Sequence, residues 1–484
     1  MNRKLIIRLT GTLLLFESIA FAVCFAISAA YGDSDISAFG FSAIIALSLG
    51  MLLRYISRDA SAVLTRYDSY VAVTVAWLSS TLIGMLPYIL SGALPDVSDA
   101  FFETMSGFTT TGSTMIDDID VQSHGILFWR SVTNWIGGLG IVLFTLAILP
   151  SNGSGETKLF AAEITGPTKN KLHPRLKTTI HWLWSIYLLL TVLCVISLYL
   201  AGMGKFDAVC HGLATTATGG FSTHNDSIAF FHSPTIEYVE IFFMFLSGIN
   251  FAMLYSLFFR GKVKLFFSNS EIKAYAIIVG VATAFIAVCL YNKNGLSSAD
   301  AVRTALFQVV SISTSTGFTS ADFMKWMPLT WIVLSILMFI GACAGSTSGG
   351  FKIVRIIAML KITGNEFKSI LHPAAVVPVR INGQAVSHKT FHTLIAFSTL
   401  YVITLCAGVF LLALSGLPLM DSLGMALSSI SNIGPEIGRA YGELSSWNTI
   451  PVLGKWVCSF LMLLGRLELF SIFVLFTPRF WKDY

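Results

Sequence analysis

Residues 99–113 read Asp99-Ala100-Phe101-Phe102-Glu103-Thr104-Met105-Ser106-Gly107-Phe108-Thr109-Thr110-Thr111-Gly112-Ser113. The stretch is too apolar for a surface loop and too short to cross a bilayer, whose core takes about 20 apolar residues. It opens with Asp, a favoured helix N-cap, runs through about three turns of small and apolar residues, and ends in Thr and then Gly. Three further stretches follow the same plan: Asp207-Ala208-Val209 to Ala217-Thr218-Gly219-Gly220, Asp300-Ala301-Val302 to Ser315-Thr316-Gly317-Phe318, and Asp421-Ser422-Leu423 to Asn432-Ile433-Gly434-Pro435. From the opening Asp to Gly112, Gly219, Gly317 and Gly434 is 13, 12, 17 and 13 residues, and these glycines lie 107, 98 and 117 residues apart. One unit of chain therefore recurs roughly every hundred residues.

The composition around these stretches excludes most alternatives. Only 12% of the 484 residues are charged and 55% are hydrophobic, with a mean hydropathy of +0.74. A soluble domain carries roughly 25% charge. Aromatic content of 13% belongs to buried rather than disordered chain. The seven cysteines contain no C-x-x-C and are too few for a disulfide scaffold. The net charge of +5 is not gathered with aromatics on one polar face, so no nucleic-acid partner is expected. An all-α membrane protein in the lipid bilayer remains. Apolar runs lie near 5–31, 37–53, 70–92, 125–149, 178–202, 235–259, 274–292, 327–343, 387–415 and 452–477. The first has a basic start but exceeds the roughly 7–15 apolar residues of a secretory signal, which favours an uncleaved helix.

Lysine and arginine set the orientation. The N-terminus, the segments 54–66, 158–177, 260–273 and 352–389, and the tail after Thr477 hold 23 of the 31 basic residues, against six in the alternate loops. The positive-inside rule places the basic set and both termini in the cytoplasm. Acids such as Asp117, Asp118, Asp120, Asp226 and Glu436 collect on the other side. They read either as loop solvation or as a cation-attracting mouth.

A short helix that enters a membrane and stops leaves carbonyls unpaired, with partial negative charge at that end. Glycine lets the next residues turn so that carbonyls face a common axis. Irregular backbone at that depth needs a protein-lined or water-filled setting. Four such segments around one axis make a ring of oxygens able to replace the hydration shell of a monovalent cation. No carboxylate lies inside the four Gly motifs, which disfavours a divalent-cation filter. The candidate filter residues are Thr110, Thr111, Gly112, Ala217, Thr218, Gly219, Ser315, Thr316, Gly317, Asn432, Ile433 and Gly434.

These segments resemble those of the Trk/Ktr/HKT superfamily of potassium transporters, most nearly its bacterial TrkH-type branch. Further carriers of the resemblance are Trp129-Arg130-Ser131, Trp135-Ile136-Gly137-Gly138, Ala344-Gly345-Ser346-Thr347-Ser348-Gly349-Gly350 and Gly465-Arg466-Leu467-Glu468. It implies four membrane–pore helix–membrane repeats with pseudo-fourfold symmetry after two N-terminal transmembrane helices. The corresponding divisions are 1–66, 67–152, 153–262, 263–372 and 373–484. It also implies potassium as the transported ion with no cofactor, a bacterial inner-membrane location, a homodimer, and a cytosolic nucleotide-binding regulatory ring of the TrkA type. Superfamily members with glycine at all four filter positions resemble potassium-selective ones, and those with serine at the first tend to pass sodium.

Just past the eighth apolar run, three glycines fall in Gly345-Ser346-Thr347-Ser348-Gly349-Gly350, at roughly 1 kcal/mol each against helix. The stretch reads as a close-packing hinge or, from its place below the third filter segment, as a gate loop. Arg466 lies within the last apolar run, where a charge is costly. It reads as a pore barrier coupled to that loop, as a side chain snorkelling to the cytoplasmic side, or as a partner of an acid such as Glu468. Arg130 and Asn134 read as structural groups behind the filter. Glu240, Asn250 and His211 read as satisfied interior groups, and no second His or Cys stands at metal spacing from His211. The basic segments 158–177 and 352–389 read as lipid-facing charge or as a docking surface for the regulatory subunit. No Walker A motif is present, so nucleotide control would come from a partner. A secondary transporter coupled to protons or sodium is the alternative; it would show more intramembrane acids and a twofold repeat. An enzyme is not expected, since the filter hydroxyls lack a histidine partner in each repeat.

Overall fold

The computed structural model describes residues 2–60, 65–140, 176–372, 378–382, 384–385, 388–438 and 446–482. Residues 141–149 of the fourth expected span and the basic stretch 158–175 lie outside the described residues. Among the described residues, six helices are long and apolar enough to cross a membrane: Arg3–Tyr31, Ile36–Ile56, Tyr67–Ser91, Ile180–Leu200, Ser270–Lys293 and Thr390–Leu414. The first two form a hairpin that closes where Gly11 meets Gly50; a Cβ at Gly11 would stand 2.9 Å from the Gly50 carbonyl oxygen. Small residues at such a crossing let two backbones approach. The other four each begin a unit.

Every unit continues with a short buried helix and then a returning helix. The short helices are Val97–Phe108, Lys205–Ala217, Ser298–Ser313 and Leu419–Ser431. In the first of them every residue from Ser98 to Phe108 is buried. The returning helices are His124–Leu139, Pro234–Ser247, Pro328–Ile340 and Val452–Arg466. Each short helix packs between its own returning helix and that of the preceding unit, and the first packs on the fourth unit's Val452–Arg466. The packing therefore closes into a ring of four. Its apolar interior falls into two main clusters. One joins the N-terminal hairpin to units one and four, and the other joins units two and three. A small antiparallel pair, Arg380–Ile381 with Gln384–Ala385, is the strand content of the described residues.

Two expectations need correction. The four opening aspartates are not N-caps: Asp99, Asp207, Asp300 and Asp421 each occupy the third helical position. The caps precede them, as where Asp96 accepts from the Ser98 N–H at 2.7 Å. A carboxylate in the first turn still opposes the helix dipole favourably. The spans 235–259, 327–343 and 452–477 are also not continuous. The returning helices run 13 to 16 residues, about 20–24 Å at the α-helical rise and short of a membrane core of about 30 Å. Pro234–Ser247 continues into Phe251–Phe258 only after a 103° bend, and Val452–Arg466 into Phe470–Phe476 after 106°. Asn250 caps the new helix at the first bend, its side chain accepting from Ala252 N–H at 2.8 Å. At the second, Glu468 and Leu469 both take positive φ, which no helix accommodates.

Candidate functional site

The chain leaves each short helix in the same way four times. Thr110, Thr218, Ser315 and Asn432 are left-handed, with φ of 53 to 55°. Their N–H groups donate to the carbonyl three residues back. The next N–H donates five residues back: Thr111 to Ser106 (2.8 Å), Gly219 to Ala214 (2.9 Å), Thr316 to Ser311 (2.9 Å) and Ile433 to Ser428 (3.1 Å). This is the Schellman helix end, built here on non-glycine residues at about 1–2 kcal/mol each. Two residues past each left-handed residue stands a glycine of positive φ: Gly112 (87°), Gly220 (74°), Gly317 (82°) and Gly434 (100°).

This geometry aligns Thr110-Thr111-Gly112, Thr218-Gly219-Gly220, Ser315-Thr316-Gly317 and Asn432-Ile433-Gly434. The second segment thus lies one residue later than expected. Gly220 rather than Gly219 takes the glycine position, and Ala217 corresponds to Thr109, Thr314 and Ser431. Two adjacent glycines concealed the register, and with Gly220 the separation from Asp207 becomes 13, as in units one and four.

The four segments close on one another. A Cβ at Gly112 would meet the carbonyl oxygen of Gly219, one at Gly220 that of Thr316, one at Gly317 that of Ile433, and one at Gly434 that of Thr111, each at 2.6 Å or less. Each glycine therefore lies against the backbone oxygen of the neighbouring unit, and the series returns to its start. Ser113 Oγ adds a bond to the Gly434 carbonyl at 3.0 Å.

Residues 341–352 form a loop packed against the helix-end side of this ring. Its neck is pinned by Lys352 N–H to Ile340 O (2.8 Å) and Ile353 N–H to Ala342 O (3.1 Å). Gly345 and Gly350 turn its corners with φ of 75° and 78°. Ser346 Oγ lies 2.9 Å from Ser348 Oγ. Thr347 Oγ1 reaches Thr216 O at 3.2 Å and Ser247 O at 3.3 Å, both in unit two. Gly349 N–H donates to Ser315 Oγ at 2.6 Å in unit three, and Gly349 packs against Ser431 O of unit four. Arg466 supplies the first unit. Its Nη1 donates to Thr347 O at 2.8 Å and to Thr110 Oγ1 at 3.2 Å. Its Nη2 donates to Gly137 O at 2.5 Å and Gly138 O at 2.6 Å. The loop and one guanidinium thus touch all four units. Glu468 accepts from Arg355 at 2.7 Å.

Residues 36–483 match the family model described as TrkH, cation transport protein. The chain is 35% identical to the Trk system potassium uptake protein TrkH of Escherichia coli K12, over the full length of both. It is 31% identical to TrkG of the same strain, over 99% of each chain. The crystal structure of the potassium transporter TrkH from Vibrio parahaemolyticus superposes with a TM-score of 0.90 at 32% identity, covering 99% of this chain and all of that one. The chain belongs to the TrkH family of cation transport proteins.

The fold of this TrkH-family chain shows what its buried polar side chains hold. By sequence Lys352 falls in the basic segment 352–389. Instead it is buried, with its ammonium on the Ser348 carbonyl and Ser348 Oγ. Glu271 Oε1 accepts from Ala344 N–H at 2.7 Å, and Asn250 Nδ2 donates to Ala344 O at 2.5 Å, so both hold the root of the loop. Glu103, buried in the first short helix, accepts from Arg130, Thr114 and Met115 N–H. Arg130 also donates to Ser222 O at 2.9 Å, tying units one and two behind the ring. His211 is a satisfied interior ring, bonded to Asp207 O and to Ser222 Oγ at 3.0 Å.

A cavity on the ring's other side is lined by Gly112, Gly220, Gly317, Gly434 and His224. His224 Nδ1 bonds Asp120 at 2.6 Å, its Nε2 stands 3.7 Å from Asp207, and its face stacks on Phe230 at 3.5 Å. Burial favours the neutral ring, but Asp207 and Asp120 outweigh it and raise the imidazole pKa. A raised pKa means that the ion pair stabilises fully below the ordinary imidazole range and fades as pH climbs through the folded value. Asp120→Asn should therefore lower the melting temperature at pH 6 and converge with the parent at strongly alkaline pH. A gap that does not change between those pH values would show that the pair does not titrate.

Proposed function

We propose that the chain takes up potassium across the bacterial cytoplasmic membrane through a channel-like path whose selectivity filter is the four-segment ring. The closed cycle of glycine–carbonyl contacts carries this reading. It brings backbone oxygen from all four units to one place and puts no carboxylate in the ring, which suits a dehydrated monovalent cation. The relatives' names as Trk potassium uptake proteins support the same ion. Gly345, Ser346, Thr347, Ser348, Gly349 and Gly350 are the gate, obstructing the path on the helix-end side. Arg466 is the electrostatic barrier that latches the gate to the filter. Regulation comes from a cytosolic nucleotide-binding partner, and two copies of the chain pair in the membrane, each with its own path. The unit divisions are those at 66, 152, 262 and 372.

Purified protein in potassium-loaded liposomes tests the function. Potassium and rubidium should pass faster than sodium and lithium, and Gly112→Ser should narrow that difference. Equal sodium and potassium flux in the unaltered protein would remove the selectivity claim.

A further inference from the structure

The four filter segments are not equally walled. At the middle position, units one, three and four place the side chains of Thr111, Thr316 and Ile433, all buried. In units one and three that residue forms the same hydroxyl pair with a neighbour two residues earlier: Thr109 Oγ1 to Thr111 Oγ1, and Thr314 Oγ1 to Thr316 Oγ1, each 2.8 Å. Unit two has Ala217 and Gly219 at these positions, so both hydroxyls are missing. Gly219 does not have a positive φ, and its backbone conformation would accept a side chain. The obstacle is Asn134, from the returning helix of unit one. A Cβ on Gly219 would run into its carboxamide carbon and stand 2.5 Å from Nδ2 and 2.8 Å from its Cβ. Asn134 is fully buried. Neither polar atom of its amide has a hydrogen-bond partner among the described residues. Its carboxamide instead fills the space beside Gly219 that a side chain on that residue would take.

We propose that Asn134 is the missing wall of the second filter segment, a positioning residue that lends unit two the side chain its own sequence lacks. By backing Gly219, whose carbonyl oxygen lies against Gly112, it holds the ring at the width that excludes sodium. The inference rests on the ring being the filter.

The test moves the side chain from one unit to the other. Rubidium and sodium uptake are compared in liposomes for the parent, Asn134→Ala, Gly219→Thr, the double variant and Gly112→Ser. Asn134→Ala should lose discrimination against sodium by leaving a void, and Gly219→Thr should lose it through collision. The double variant, which puts a threonine at the middle position as in units one and three and clears the space for it, should regain it. An Asn134→Ala protein with the parent's ion ratio would overturn the proposal, as would a double variant no more selective than either single change. If a single variant fails to assemble, recovery of folding and selectivity in the double variant still decides for the proposal, and no recovery decides against it. Gly112→Ser separates the two levels. If it alters the ratio while Asn134→Ala does not, only this inference fails; if neither alters it, the filter reading fails as well.

Discussion

Gly317→Ala is expected to lower rubidium uptake on the order of a hundredfold or more, with the protein still present in the membrane. Two costs combine at this position. The φ of 82° is disfavoured for an L-residue by about 1–2 kcal/mol. The added Cβ also has no room, because Ile433 O and Pro435 Cδ already occupy its place. Overpacking costs typically about 1–3 kcal/mol. The Ile433 peptide is held in place, since its N–H is bonded into the fourth helix end. The added atom therefore displaces a ring oxygen, and a few kcal/mol in that geometry corresponds to roughly two powers of ten in rate. Gly364→Ala is the matched control. Gly364 lies within the helix Ile353–Leu371 with nothing near its would-be Cβ and no positive φ, so uptake should not change. Uptake by Gly317→Ala equal to that of the control would mean the ring is not on the ion path.

Deleting residues 346–349 should act in the opposite direction and raise flux at least tenfold. The deletion removes the Thr347 and Gly349 contacts to units two, three and four while leaving the neck bonds between 340–342 and 352–353. It also frees Arg466 from the Thr347 carbonyl. A unit positive charge roughly 8 Å from a passing cation, at an effective dielectric near 20, repels it by about 2 kcal/mol, or on the order of thirtyfold in rate. Arg466→Ala should consequently raise flux as well, and the combination should exceed the deletion alone. Flux unchanged by the deletion would leave the loop a packing element.

The repeated Thr/Ser-Gly segments were legible because the geometry they adopt leaves few choices of residue: a positive φ against a neighbour's carbonyl demands glycine. The glycine-dense loop was legible for the same reason. The register of the second segment was not, because Gly219 and Gly220 are both glycine and only the φ of Gly220 separates them. Hydropathy read the runs through Gly248 and Gly465 as straight spans, since apolarity continues across a bend of more than 100°. Lys352 passed as an interfacial cation because composition does not show that the chain folds back at Gly341 and buries it. Asn134 reads from sequence only as a structural group behind the filter; that it backs Gly219 depends on a gap in another unit's segment 85 residues away.

Backbone oxygens of four units are expected to surround one dehydrated alkali ion. Anomalous diffraction from crystals grown in rubidium would locate such an ion. A rubidium peak is expected on the axis enclosed by residues 110–112, 218–220, 315–317 and 432–434. Rubidium found only beside acids such as Asp117 or Asp120, with no peak inside the ring, would contradict it.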